Sequence, residues 1–311
     1  FEEFSEALGK LALNDSSLFY EKEHSAALGS CYMCGFLGLL HLEITIERLS
    51  REFDMELIST TPSVEYLVHL TTTDMSKLSN ANPANISGNI LKVKKAAEFP
   101  DPSLIEKIEE PWAKLEIITP DSYIGSIMDL STSHRGIYKN MEYITSEGVM
   151  GRKHVILRFD IPTAEILTNY FDALKSITQG YASMDYEFYE YRQSDIVKVG
   201  IMINYQSVEA LSFLTHRLHA ESRGKKLAAK LTDIIPRQQF KVPIQAAIGG
   251  KIIARETINA YRKDVLAKLY GGDVTRKKKL LEKQKKGKKR MKMFGNIEIP
   301  KEAFLAALKE G

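Results

Sequence analysis

The 311-residue chain is poor in the residues that build several familiar kinds of site. Its two cysteines are too few for a disulfide framework or a four-thiolate zinc site. No window approaches the roughly 18 uncharged apolar residues of a membrane span. Phe1-Glu2-Glu3 opens acidic, where a secretory signal opens basic and then apolar. No glycine-rich phosphate loop closed by Lys and Ser or Thr follows a strand, and there is no strand-to-helix serine elbow. Gly249-Gly250-Lys251 lies between two expected strands and lacks the helix that a phosphate loop needs. The expectation is therefore no catalytic residue, no metal ligand and no cofactor-binding residue within this chain.

The sparse reactive side chains have plain readings. Cys31-Tyr32-Met33-Cys34 has the spacing of half a zinc site, but no second pair exists. A redox role would place the motif at a helix N-terminus, so these read as ordinary thiols of a reducing compartment. His216-Arg217-Leu218-His219 reads as a basic helix face. His41 and Glu43 make a weak catalytic pair, because they sit close on one helix and do not converge. Asn85-Ile86-Ser87 matches a glycosylation acceptor, a coincidence without a secretion signal.

The charge is unevenly placed. The net charge of +3 hides a division. Residues 1–200 carry 18 Lys/Arg against 30 Asp/Glu, a net of −12; residues 201–311 carry 25 against 10, a net of +15. An acidic front and a basic back point to a polyanionic partner for the back. Residues 276–292 hold eleven basic side chains and one acid, Glu282. On a helix these charges surround the axis, and only Leu280, Leu281 and Met291 are apolar. A membrane-surface helix needs a broad apolar face, so a groove walled by phosphates suits the run better. A solvated tail and a nuclear-localisation run are the blander alternatives.

Hydrophobic periodicity organises the rest. Phe1, Phe4, Leu8 and Leu11 begin an amphipathic helix with no strand ahead of it. Strands follow at 18–23 and 26–33. A helix then carries Leu39, Leu42, Ile46, Leu49 and Phe53 on one face, and strands follow at 56–60 and 64–70. That order is a β-α-β-β-α-β unit without its opening strand, which predicts a chain that starts inside a longer protein. Residues 71–110 are a polar connector with a brief strand near 90–93. A complete unit follows: strand 112–118, helix 120–133, strands 137–145 and 154–161, helix 162–177 and strand 181–191. After residue 195 come strands at 196–203 and 208–214, and a basic helix over 216–234. A hairpin follows at 240–248 and 251–260, turning at Gly249-Gly250, and then the charged tail and a short helix at 300–308. The expected class is α+β: two ferredoxin-like units, the first incomplete, and a basic α+β C-terminal domain with a helical tail. The expected divisions are 1–70, 71–110, 111–194 and 195–311.

Several of these segments also resemble one family. Cys34-Gly35-Phe36-Leu37-Gly38-Leu39-Leu40-His41-Leu42-Glu43-Ile44, with Glu47-Arg48-Leu49 and Arg51-Glu52-Phe53, resembles domain III of the LepA translational GTPases. The segment from Ser176 through Gln179-Gly180-Tyr181 to Glu187 resembles the end of their domain V, shared with elongation factor G. Pro236-Arg237-Gln238-Gln239-Phe240, Pro243 through Thr257, Arg262 through Lys268 and Tyr270-Gly271-Gly272-Asp273 resemble the C-terminal domain peculiar to LepA. Residues 71–110 are longer and more polar than the family's usual connector.

The resemblance implies the ribosome- and tRNA-binding half of a factor that promotes back-translocation or fidelity in protein synthesis. It implies GTP hydrolysis, with GTP and Mg, in a domain outside this chain. It implies a monomer in the cytoplasm, with possible peripheral attachment to an anionic membrane. Its candidate RNA contacts are the turns His134-Arg135-Gly136 and Gln179-Gly180-Tyr181. In the tail they are Arg276, Lys277, Lys278, Lys279, Lys283, Lys285, Lys286, Lys288, Lys289, Arg290 and Lys292. The rival classes are a stand-alone RNA-binding protein and a membrane-surface protein.

Overall fold

The computed structural model describes residues 1–25, 29–37, 39–59, 64–72, 78, 85–144, 154–261, 274–294, 297 and 299–310. The chain divides into two compact units. One holds Phe1–Thr60, Val199–Ser212 and Glu221–Ala307; the other holds Thr61–Lys198, Phe213–Ala220 and Leu308–Gly311. The fold is α+β, as expected.

In the first unit, α1 (Glu2–Asn14) is followed by the antiparallel strands β1 (Phe19–Ser25) and β2 (Gly29–Gly35), and then by α2 (Leu39–Phe53). Ala7, Leu8 and Leu11 of α1 meet Leu49 of α2 in a small core that also draws in Met55 and Leu57. The strand expected at 56–60 does not form over 56–59, and Thr60 lies outside the described residues. In the complete ferredoxin-like unit of this chain the last strand pairs only with the first. Among the described residues no strand pairs with residues 56–59.

In the second unit, β3 (Tyr66–Leu70), β4 (Ile86–Ser87) and β5 (Ile90–Val93) enter one seven-stranded sheet with β6 (Ile105–Pro120). β6 has 16 residues, far more than the strand read at 112–118. Its first part pairs with β3 and its remainder with β8 and β9. From β6 the chain runs through α3 (Ile124–Ser133), β7 (Ile137–Ile144) and β8 (His154–Pro162). An interrupted helix follows, then β9 (Ser183–Gln193). The interruption is a π turn at Ile166–Tyr170 between α4 (Thr163–Glu165) and α5 (Phe171–Ile177). Alternate residues of β6 and β8 point at the helices: Leu115, Ile117, Leu157 and Phe159 are buried with Ile127, Tyr170 and Leu174. Each such side chain contributes about 1.5–3 kcal/mol by leaving water.

Beyond residue 195 a five-stranded sheet contains β10 (Ile196–Ile203), β11 (Gln206–Ser207), β12 (Phe213–His216), β13 (Val242–Ile248) and β14 (Lys251–Ile258). The strand expected at 208–214 is instead a 3-10 turn, Glu209–Leu211, before β12. The basic helix α6 runs over Arg217–Ile234, and β13 and β14 form the hairpin at Gly249-Gly250. The charged tail is α7 (Val274–Phe294), followed by α8 (Lys301–Glu310).

Gly224 of α6 lets the helix lie close on this sheet: a Cβ there would stand 3.0 Å from Cβ of Ala246 and 3.4 Å from Ile253. Gly224→Leu must push the helix off β13, so it should lower stability by about 1–3 kcal/mol in urea unfolding. An unchanged midpoint would show that the helix has room there.

Candidate nucleic-acid interface

The sequence-predicted contacts fall into three places. The turn His134-Arg135-Gly136 ends α3 as a Schellman motif. The Gly136 N–H donates to the Ser131 carbonyl at 2.7 Å, and the Arg135 N–H to the Thr132 carbonyl at 3.1 Å. Arg135 takes the left-handed position that glycine usually fills, with φ of 60°. Gly136 admits no side chain, since its Cβ would stand 2.7 Å from the Ser131 carbonyl oxygen.

The Arg135 guanidinium does not face solvent. It donates to both Glu110 oxygens, at 2.7 and 3.0 Å, and its Nε donates to Glu165 at 3.1 Å. The Arg135 side chain is 14% exposed and that of Glu110 is 1% exposed. Burial alone would lower the guanidinium's pKa; the hydrogen bond and charge of Glu110, with Glu165 behind it, raise it above the usual value. The triad ties β6, the end of α3 and the start of α4 together. His134 lies edge-on to Tyr170, 5.2 Å between centroids, with Nδ1 3.0 Å from the Leu130 carbonyl. The Tyr170 hydroxyl meets Ser131 Oγ at 2.7 Å, and burial pushes it up to about 12.

Gln179-Gly180-Tyr181 ends α5 in the same way. The Gly180 N–H donates to the Lys175 carbonyl at 2.8 Å, and Gln179 holds the left-handed position at φ of 51°. Tyr181 is 57% exposed and stacks on Tyr123, just ahead of α3, with centroids 6.3 Å apart. Lys175 Nζ caps the turn by donating to the Ala182 carbonyl at 2.7 Å. Each turn thus meets the beginning of the other helix. The two helices run antiparallel, and the two candidate turns lie at opposite ends of the helical layer.

The charges of the tail, expected to surround the helix axis, divide between a half-buried side and an exposed one. On α7, Lys277, Leu280, Gln284, Gly287 and Lys288 are half-buried, while Arg276, Lys278, Lys279, Lys283, Lys285 and Lys286 are exposed. At about 100° per residue, the half-buried group spans an arc of roughly 100° and the exposed cations fan across the opposite half. Lys288 Nζ donates to the Tyr261 carbonyl at 2.5 Å and so anchors the leaning face. The side chains of Lys289, Arg290 and Lys292 lie outside the described residues.

The remaining candidates are structural. Cys31 and Cys34 lie three apart on β2 and not at a helix N-terminus, and burial pushes the Cys34 thiol up to about 11, with Cys31 adding to it. His41 pairs with a residue that sequence spacing could not nominate. The Leu37 N–H donates to its Nδ1 at 3.0 Å, so its Nε2 carries the proton and donates to Asp15 Oδ2 at 2.7 Å. This hydrogen bond holds the Asp15 carboxyl below its usual pKa. Among the described residues no group of three or more His, Cys, Asp or Glu could hold a metal ion, and no helix is long and apolar enough to cross a membrane.

Residues 107–202 match the family described as "Elongation factor G C-terminus", and residues 203–309 match "GTP-binding protein LepA C-terminus". Elongation factor 4 of Acetivibrio thermocellus is 55% identical over 309 residues, which is 99% of this chain and 48% of that protein. Elongation factor 4 of Geobacillus thermodenitrificans is 52% identical over 309 residues, 99% of this chain and 47% of that protein. A crystal structure from Thermus thermophilus overlaps 62% of this chain at 17% identity with a TM-score of 0.38, too partial a superposition to place any element. A ferredoxin-like domain of elongation factor G type followed by a LepA-specific domain defines a translation-factor module. The chain belongs to the LepA family, and it spans about half the length of the curated relatives it matches.

Two outcomes test the site's framework. Arg135→Ala leaves two carboxylates without their cation and should cost about 3–5 kcal/mol of stability, read by chemical denaturation. His216 supplies a pH test. Its Nδ1 accepts the Leu218 N–H at 3.2 Å in the first turn of α6. Burial lowers its pKa, and the charge of Arg135 adds to this. A folded state that resists this proton loses stability as pH falls from the unfolded value, about 6.5, through the lower folded one. His216→Asn should flatten that part of the thermal melting profile between about pH 7.5 and 5.5.

Proposed function

We propose that this chain is the RNA-binding part of a LepA-type translation factor. It acts on the ribosome near the factor-binding centre, and its basic helix reaches toward tRNA. The parent protein promotes back-translocation or fidelity of protein synthesis, and GTP with Mg is bound and hydrolysed outside this chain. The observation that carries the reading is the fan of six exposed cations on α7, inside the region that matches the LepA C-terminus. A half-cylinder of positive charge suits a phosphate wall and releases counterions on contact.

The two helix-end turns play different parts. At Gln179-Gly180-Tyr181 the exposed Tyr181 ring offers a surface for an unstacked base. At His134-Arg135-Gly136 the imidazole and the backbone face the RNA, because Arg135 is held by Glu110 and Glu165. Peripheral attachment to an anionic membrane is the second reading, favoured only by the polybasic run. It is weakened by the exposed face of α7, where Leu281 stands among cations.

If the six exposed cations each neutralise one single-stranded phosphate, the affinity for an RNA oligomer should fall with a log–log salt slope of about −4. Replacing Lys278, Lys279, Lys285 and Lys286 by Gln should reduce the slope by about 3. A salt-independent affinity, or flotation with anionic liposomes in place of co-sedimentation with ribosomes, would overturn the assignment.

A further inference from the structure

Strand β9 is the outermost strand on its side of the sheet. Among the described residues it pairs with β6 alone. The Tyr186 N–H donates to the carboxylate of its own neighbour, Asp185 Oδ1 at 2.9 Å. By the alternation of an antiparallel ladder, Met184, Tyr186 and Phe188 turn their backbone N–H and C=O outward. At Met184 and Phe188 the edge therefore offers backbone groups that no strand takes, and at Tyr186 the N–H can trade its bond to Asp185 for one to an added strand.

The two faces of that edge differ in chemistry. On the face away from the helices, Asp185 lies opposite Glu116 and Glu187 lies opposite Lys114. They border a shallow depression of about 690 Å³ floored by β6 and β8. Three of the four cations around it are held by carboxylates, and the fourth, Lys114, by an aromatic ring. Arg158 bonds Glu116 and Glu142, each at 2.5 Å; Lys139 and Arg192 share Asp160, at 2.9 and 2.6 Å; Lys114 lies 4.4 Å over the Tyr189 ring. Among the described residues no ion pair holds Asp185 or Glu187, and with Lys114, Lys139 and Arg158 set against Glu116, Asp160, Asp185 and Glu187 the lining carries a net negative charge. On the other face Tyr186 and Phe188 are 42% and 61% exposed, although their partners Leu115 and Ala113 on β6 are buried. The helices stop short of this edge.

We infer that β9 accepts an extended segment of a basic protein, added as a further strand, with Lys or Arg at alternate positions and apolar residues between them. The backbone edge supplies the ladder. Asp185 and Glu187 take the cationic side chains, and Tyr186 and Phe188 cover the apolar ones. Nucleic acid is disfavoured here, because its phosphates would meet uncompensated carboxylates without any hydrogen-bonding gain. The inference stands apart from the RNA reading of α7, which uses other residues and the opposite charge.

The test uses the full chain and a labelled, end-blocked peptide of four Lys-Val repeats. Anisotropy should report saturable binding, and a peptide of the same composition with its lysines in one block should bind several-fold more weakly. Asp185→Lys with Glu187→Lys should weaken binding at least tenfold. Both positions are exposed, so the melting temperature should hold. Phe188→Ser, which leaves the charges intact, should weaken it a few-fold. Hydrogen exchange should slow at Met184, Tyr186 and Phe188 when the peptide is added. Equal binding after the charge reversal, no change in those three amides, or their protection by an oligonucleotide in place of the peptide would overturn the inference.

Discussion

The hydrogen-bond ladder on β6 is the constraint on which the larger sheet depends. One extended segment of 16 residues serves β9 along one side and β8 and β3 in succession along the other. Both crossover helices return over it, and Glu110 holds Arg135 at the end of one helix, while the same guanidinium donates to Glu165 in the first turn of the other. Side-chain alternation on β6 sorts chemistry at the same time. Leu115 and Ile117 enter the core, while Lys114 and Glu116 build the charged face. A break in this strand would disconnect the sheet, its core and its surface together.

The architecture was largely legible because its elements carry strong periods. The apolar face of α2, the alternation of β8 and the Gly249-Gly250 hairpin are local signals, and each is present where the sequence places it. Readings failed where partners decide. Residues 56–59 have strand-like composition, but among the described residues no strand pairs with them. The length of β6 was hidden because Glu106, Lys107 and Glu109 look like a polar connector; their pairing with β3 is a long-range fact. The π turn in the second helix left the apolar spacing nearly intact.

The candidate interface was legible in its charge and not in its geometry. A run of lysines announces itself, but the direction in which it faces is set by what the helix leans on. Lys288 reaches the Tyr261 carbonyl 27 residues back, and no local pattern reports that contact. Arg135 shows the opposite failure. Its place in a turn suggests an exposed cation, whereas two carboxylates from distant segments enclose it. The chain thus keeps two patches of opposite charge on different supports: Asp185 and Glu187 on a sheet edge, and the exposed cations on a helix with one anchored side.

That helix is also poised in a way its sequence explains. Lys279 and Lys283 repel at one turn's spacing, as do Lys283 and Lys286, and Gly287 weakens the helix further. Glu282 offsets this only in part, through its i,i+4 spacing to Lys278 and Lys286. Neutralising the repulsion and winding the helix are then coupled events. Any polyanion that relieves the repulsion must stabilise the helix, and by thermodynamic reciprocity any change that tightens the helix must raise affinity for the polyanion by the same free energy. Helical content of residues 274–294 should therefore rise with any polyanion bound to them, and fall again when it is released.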